Sequence, residues 1–263
     1  MLIAMMPIKA LCLSFFCLVL LSLIASLAQA MHHRESRAQE GWWSARRDSA
    51  GMAPDARINA QLAIVQVYAA PTWGWKGVVA VHPWIIFKRA GEREYSRYEV
   101  ISWGAGDKVR RNSNLADGYW YGAQPRLLVE HRGAEAAAMI PQIEAAIRTY
   151  PWPQTYHAWP GPNSNTFIAH IGRNVPALKL DMPANAVGKD FRSLRDPVGL
   201  PPSGGGVQLS LLGVAGVTLG AEEGFELNVL GLNVGLDLTP LRLRLPFIGG
   251  IGRDNLQKNV DEG

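Results

Sequence analysis

The sequence is almost without cysteine. Cys12 and Cys17 are the two cysteines among its 263 residues, and both lie inside an apolar N-terminal segment. The rest of the chain therefore offers no disulfide, no thiol nucleophile and no cysteine-ligated metal site. Leu11 and Phe16 precede the two cysteines where a lipoprotein signal would carry small residues, so we predict no lipidation.

Charged residues are nearly absent from the N-terminal segment. Lys9 is followed by no further charged residue until Arg34, and residues 10–28 are predominantly apolar. The run ends at Ala28-Gln29-Ala30, a small-x-small cleavage pattern, and its length is also close to the ~20 apolar residues that span a bilayer. We therefore predict that residues 1–30 are a cleaved signal peptide or an uncleaved membrane anchor. In both cases the body is exported and lies in the periplasm or anchored at the inner membrane.

The chain also lacks a dense basic tract and recognisable ligand motifs. It has 26 basic and 22 acidic residues, and subtracting Lys9 leaves 25 against 22 beyond the N-terminal segment. This balance argues against nucleic acid as a partner. The six histidines show no zinc-site spacing. Lys189-Asp190 and Gly204–Gly206 lack the phosphate-loop pattern and are interpreted as turns, so we predict no metal and no cofactor.

Residues 31–60 are predicted to form a linker. Within them, paired Trp42 and Trp43 are flanked by arginines that include Arg46 and Arg47. Basic residues beside tryptophans suit a membrane interface, and a solvated linker is the alternative.

What the sequence does contain indicates an α+β domain over residues 61–206. Four segments have the composition of strands: Ala63–Tyr68, Val78–Phe87, "SRYEVISWG" and "PRLLVEHRG". The second is expected to bend or bulge at Pro83, because proline cannot donate to a sheet ladder. "AEAAAMIPQIEAAIRTYP" has helical spacing, and a further helix is predicted from about Asn165 to Gly172. We expect an antiparallel sheet with a few helices.

Residues 207–263 change to a glycine-rich and apolar composition. Val207 to Leu245 predicts a β-extension packed on the first part. The alternative is an exposed glycine-leucine surface that contacts a membrane or a partner.

One constellation has the residue types of a catalytic site. "GPNSNTFIAH" places Ser164 at a helix N-terminus, where free N–H groups and the helix dipole favour negative charge. Ser164 is then a nucleophile or, like Asn163, a helix cap. His82 interrupts an apolar strand and needs a partner or a purpose. We predict His82 as a base and Glu99 on the next strand as the residue that orients it, with Tyr98 as the alternative if the register shifts.

The same region predicts a set of substrate-binding residues. Asn163 and Asn165 flank the serine, and Tyr98 is on the strand that carries Glu99. His170, more than one helical turn from Ser164, is predicted to line the same pocket or to lie on the helix surface.

This order of residues resembles the circularly permuted papain-like families, which include the lecithin–retinol acyltransferase type and bacterial relatives of the cell-wall peptidases. The resemblance covers residues 63–172 and is carried by Asn163-Ser164-Asn165-Thr166-Phe167 with His82 upstream. Those families have cysteine at the position of Ser164. The resemblance therefore implies a serine hydrolase or an inactive binding relative.

At closer range the chain resembles an uncharacterised bacterial family catalogued as domain of unknown function three-seven-five-zero, for which no activity is implied. The resemblance is carried by "QVYAAP", "VHPWI", "SRYEVISWG", "DGYWYG", "IPQIEAAIRTYP", "WPGPNSNTFIAHIGR", "VGKDF" and "PPSGGG". Three functions remain open. The first is an exported hydrolase or acyltransferase of an amide, ester or lipid bond. The second is an inactive envelope protein that binds lipid or peptidoglycan. The third is a membrane-associated structural protein that works through its glycine-rich tail. The sequence sets neither the substrate nor the oligomeric state.

Overall fold

A computed structural model describes residues 8–37, 41–238 and 241–252, which fold into three α-helices and two antiparallel sheets. The predicted α+β class is confirmed. The helices are α1 Ile8–Arg37, α2 Gly133–Arg148 and α3 Ser164–Asn174, with short 3-10 helices η1 Gly74–Val78 and η2 Pro176–Leu178. The strands are β1 Ile64–Pro71, β2 Val81–Lys88, β3 Ser96–Val100, β4 Val109–Arg111, β5 Arg126–Arg132, β6 Val198–Gly199, β7 Gly206–Leu211, β8 Ala215–Gly220, β9 Gly224–Val229, β10 Leu232–Leu238, β11 Leu241–Arg244 and β12 Ile251–Gly252.

The first sheet, in the order β4-β3-β2-β1-β5, is covered on both faces. Helices α2 and α3 pack on one face and form the main core with side chains such as Val67, Ile85 and Phe167. On the opposite face Tyr68 and Trp84 belong to an aromatic core. Because β1 and β2 are buried on both faces, their sequences are nearly continuous apolar runs rather than alternating ones.

Residues 42–53 pack across this aromatic core. Ala45 is buried, and the ring of Trp42 stacks on Tyr121 with centroids 4.1 Å apart. The guanidinium of Arg47 lies 4.3 Å from the centroid of the same tyrosine ring. This part of the predicted linker is therefore attached to the domain, whereas the side chain of Trp43 is exposed.

The sequence predicts a bend or a bulge at Pro83, and the structure has no bulge there. The β1–β2 register runs without a shift from Ile64↔Lys88 to Pro71↔Val81, with Pro83 opposite Ala69. Strand β3 pairs with β2 from Ile85 onward, so Pro83 lies where β2 has a single described neighbour. A proline is tolerated at such an edge position because no ladder hydrogen bond is lost on the open side.

The second sheet is a meander of seven strands in the order β12-β11-β10-β9-β8-β7-β6. The predicted β-extension is confirmed, and β6 adds a short strand from before residue 207. The sheet is fixed to the first part by Lys189 and Asp190, which were interpreted from sequence as a turn. Lys189 is ion-paired with Glu226 of β9, and Asp190 accepts hydrogen bonds from side chains of three strands.

Helix α1 packs against the body of the protein near η1 and β10. Its Ser22 and Ser26 side chains are buried, and the Ser26 hydroxyl donates a hydrogen bond to the carbonyl of Val78. The sequence left a membrane-spanning anchor open for this segment. Within the described residues, no helix combines the length and the apolar composition needed to cross a bilayer.

Candidate functional site

The serine loop is organised around Asn163, which caps α3. Its Oδ1 accepts hydrogen bonds from the amides of Asn165 at 2.9 Å and Thr166 at 3.2 Å, while the Thr166 hydroxyl accepts from the Asn163 amide at 3.1 Å. This reciprocal arrangement is a capping box. The Asn163 Nδ2 donates to the carbonyls of Ala158 and Val187. Asn163, predicted as a substrate contact, therefore has its side chain engaged within the protein.

Ser164 is the first residue of α3 and is 3% exposed. The nearby phenol of Tyr156 packs against the main core, and burial raises its pKa while the Ser164 hydroxyl opposes that shift. Asn165 is also buried, and its Nδ2 donates to the carbonyls of Val81 at 3.1 Å and Val187 at 2.9 Å. The two asparagines thus join the start of α3 to β2 and to the segment that leads to Lys189.

His82 lies on the other side of the first sheet. Its ring stacks on Trp120 with centroids 3.7 Å apart, within the aromatic core, whereas Val81 faces the main core that contains α3. Since successive side chains of a strand point to opposite faces, β2 separates the His82 imidazole from Ser164. Among the described residues, no hydrogen bond joins Ser164 to His82, the residue predicted as its base.

The pairing of His82 with Glu99 is present. The His82 Nε2 and the Glu99 Oε2 are 2.8 Å apart, and both side chains are buried. Arg97 donates from Nε to Oε1 at 3.1 Å and from its NH2 nitrogen to Oε2 at 2.9 Å, and Asn114 donates to Oε1 at 2.8 Å. The guanidinium of Arg97 also lies 4.1 Å from the centroid of the Trp84 ring.

In this network the carboxylate of Glu99 is charged and the imidazole of His82 is neutral. Burial lowers the pKa of His82, and the opposing hydrogen bond and charge of Glu99 do not reverse that shift. Burial alone would raise the pKa of Glu99, but the hydrogen bond from His82 and the charge and hydrogen bonds of Arg97 outweigh it and lower the pKa to about 2. The arrangement is therefore a carboxylate held by Arg97, Asn114 and a neutral imidazole.

The other predicted contacts lie apart from this network. Tyr98 is on the opposite face of β3 and stacks on Phe87 with ring centroids 5.7 Å apart. The Nε2 of His170 is 3.0 Å from the carbonyl oxygen of Ala146, so this histidine links α3 to α2. The structure thus distributes the seven predicted site residues over two faces of the first sheet.

Sequence reasoning missed Arg97 and Asn114, and it missed the cleft beside them. This cleft has a volume of about 430 Å³, and its polar lining includes Tyr95, Arg97, Asn112 and Asn114. Arg97 is two residues before Glu99 on the same strand, a period-2 signal that places both on one face. In the described part of the chain, no group of three His, Cys, Asp or Glu residues is arranged to hold a metal ion.

Fold and site together define an α+β protein with a capped, buried serine loop and a separate buried histidine–glutamate–arginine network. Residues 62–191 match the family model described as "Protein of unknown function (DUF3750)", so this part of the chain is similar to that family. No curated protein and no solved structure matches the chain. The papain-like resemblance is therefore not confirmed by these comparisons.

Proposed function

We propose that the protein is an exported, membrane-associated protein of the cell envelope that acts by binding rather than by serine catalysis. The observation that carries this proposal is the orientation of α1. Its buried side chains include the polar Ser22 and Ser26, while six large apolar side chains point outward. These are Leu13, Phe16, Leu20, Leu21, Ile24 and Leu27.

The helix is apolar on all sides: Phe15, Leu18, Val19 and Leu23 are half-buried, and the six exposed side chains form an apolar surface that the protein does not cover. An apolar outer surface is stable where its surroundings are apolar, and exposed apolar patches of this kind mark membrane or partner contacts. A helix that lies along the bilayer surface satisfies this requirement without spanning it. The uncharged run before Arg34 further supports export.

The hydrolase hypothesis has weaker support. A serine hydroxyl needs a positioned base, and β2 stands between Ser164 and His82. The buried side chains of Asn163 and Thr166 cap the N-terminus of α3. Capping is the alternative role that the sequence left open for the serine loop. A binding protein, which needs no base beside Ser164, fits the geometry better.

Flotation of the full chain with vesicles tests the membrane proposal. We expect it to float with vesicles of phosphatidylethanolamine and phosphatidylglycerol. The double variant Leu21→Gln, Ile24→Gln should lower its partition coefficient about a hundredfold or more, because each removes a side chain worth roughly 1.5–3 kcal/mol when fully buried and about 1.4 kcal/mol is a factor of ten. The matched control is Ile58→Gln, Leu115→Gln, which alters two exposed apolar side chains of the body. A full chain that stays at the bottom of the gradient contradicts the proposal. Mass spectrometry of protein recovered from cells separates cleavage after Ala30 from retention of α1.

A fluorophosphonate probe tests the absence of serine catalysis. Such probes react with activated serines, so we expect no labelling of the full chain above that of Ser164→Ala. Labelling that depends on both Ser164 and His82 would restore the hydrolase hypothesis and remove this proposal.

A further inference from the structure

The second sheet is polar inside and apolar outside. In β7 the side chains of Gln208 and Ser210 are buried, while Val207, Leu209 and Leu211 are exposed. The same alternation continues through β8, β9, β10 and β11. A sheet in water that packs on a domain is expected to bury its apolar side chains and expose its polar ones. This sheet does the opposite.

The strand register arranges the outward side chains in continuous rows. One row crosses five strands, from Val207 through Leu219, Phe225 and Leu236 to Leu243. A second row runs Leu209, Val217, Leu227 and Val234, and a third runs Leu211, Ala215, Val229 and Leu232. Leu238 and Leu241 pair beside them. We call these 15 side chains the outer face. Among the described residues of β7–β11, it contains no charged or hydrogen-bonding side chain.

The outer face is a continuous apolar surface. Its 15 side chains, each occupying about 4.8 Å across the strands and about 6.7 Å along them, cover roughly 400–500 Å². That is the size of the largest apolar patch on a typical monomer, and such patches are often functional.

The hairpin tips at one end extend the apolar surface. Leu212 and Leu230 each have a φ of 55° and are followed by glycines with positive φ. Such turns normally carry asparagine or glycine, because a leucine in this conformation is strained. Leu230 is nevertheless 62% exposed. Its carbonyl accepts a hydrogen bond from the indole of Trp159, which is itself 54% exposed.

We infer that the outer face lies on the acyl-chain region of a lipid bilayer, with Trp159 at the level of the headgroups. This inference rests on the proposed membrane association and adds a second contact to that of α1. The two surfaces are adjacent, because α1 contacts β10 of the same sheet. The bilayer meets the apolar side of both elements, while their polar side chains face the protein.

Three features favour lipid over a protein partner. Protein interfaces carry about one hydrogen bond per 100–200 Å², together with aromatic and arginine anchors, and the outer face offers no polar side chain for this purpose. The central strands β8, β9 and β10 are paired along both sides, so their backbone groups bond within the sheet and tolerate an apolar medium. Tryptophan at the rim of an apolar surface is typical of membrane interfaces.

A fluorescent label on the outer face tests the inference. In the full chain, with Cys12 and Cys17 replaced by alanine, Leu209→Cys carries an environment-sensitive nitrobenzoxadiazole label, and Leu115→Cys is the matched control on the first part. Both native leucines are exposed to a similar degree. With vesicles of phosphatidylethanolamine and phosphatidylglycerol, we expect a blue shift and at least twofold quenching by doxyl-labelled acyl chains at position 209. The control label should show neither.

Further outcomes separate the two proposals. Flotation of the chain with an unquenched label at position 209 overturns this inference and leaves the α1 contact standing. A blue shift at position 209 that needs no vesicles and rises with protein concentration also overturns it, because a second copy then covers the outer face. Failure of the chain to float overturns both proposals. Loss of quenching in the triple variant Leu219→Ser, Phe225→Ser, Leu236→Ser supports the inference.

Discussion

At the scale of single residues, the histidine–glutamate pair links stability to pH. Burial lowers the pKa of His82, so below about pH 6.5 the unfolded chain binds a proton that the folded protein excludes. Glu99 has a folded pKa of about 2, below its unfolded value, so its contribution is lost at still lower pH. Both groups therefore make the protein less stable as the solution becomes more acidic.

We predict that His82→Gln flattens this dependence. Glutamine keeps an N–H donor for Glu99 but does not titrate, so the difference in unfolding free energy between pH 7.5 and 5.5 should shrink. The variant should also be about 1–3 kcal/mol less stable at pH 7.5, because the stacking on Trp120 is lost. Urea unfolding at both pH values measures this. The control is His157→Gln, whose native side chain is exposed. An unchanged pH dependence in His82→Gln would contradict the assignment.

Part of this network was predictable from the residues themselves. A histidine in an apolar strand requires a polar partner, and Glu99 on the next strand was expected and is present. The face that α3 covers was not predictable, because β1 and β2 are apolar on both sides. Without an alternating pattern, the sequence does not say whether Val81 or His82 points toward the serine.

At the scale of elements, the leucines of the two Leu-Gly turns have a strained backbone and form the apolar tips of two hairpins. We predict that Leu212→Asn and Leu230→Asn each stabilise the protein in water by roughly 1 kcal/mol, because asparagine tolerates positive φ better than leucine. The same variants should bind vesicles more weakly. Urea unfolding and flotation measure the two effects. Leu230→Ala is the control, since alanine keeps the strain and removes the apolar tip. If the asparagine variants gain stability but bind vesicles as strongly as the native chain, the hairpin tips are not part of the membrane contact.

The elements themselves were largely predictable from periodicity and breakers. Helix α3 extends from Ser164 to Asn174 where a helix from about Asn165 to Gly172 was expected, and α2 continues through Pro141 as a single helix. The sequence pattern did not predict which face of the second sheet points away from the protein. Alternation in "LRLRLP" shows that one face is polar, but assigning the apolar face to the interior assumes water on the other side.

At the scale of the whole molecule, Lys189-Asp190 holds the two parts together. The Asp190 carboxylate accepts hydrogen bonds from Gln208 at 2.8 Å, Asn228 at 2.9 Å and Asn233 at 2.7 Å. Lys189 is buried and ion-paired with Glu226. The short motif "VGKDF" thus packs against the polar inner face of the second sheet. Its role could not be read from sequence, because its partners lie 18 to 43 positions away.

We predict that Asp190→Ala loosens the second sheet specifically. Three buried amides lose their acceptor, which should cost about 2–5 kcal/mol. Hydrogen exchange should accelerate in β7–β10 and remain slow in β1–β5. The control is Asp196→Ala, whose native carboxylate is exposed and paired with Arg192. Equal acceleration in both sheets would contradict a specific docking role.

The inverted second sheet also has a consequence for the order in which the chain folds. Its strands pair with their sequence neighbours, so the meander forms quickly from local contacts once it starts. Yet in water it has no apolar interior of its own, and its inward Glu226 and Arg244, which pair with each other, gain further ion pairs with Lys189 and Asp181 from the segment before it. Synthesis delivers Lys189 and Asp190 before every strand of the meander. The first part thus provides the surface on which the later strands assemble. A nascent chain that ends near residue 191 should already have folded its first part before the second sheet forms.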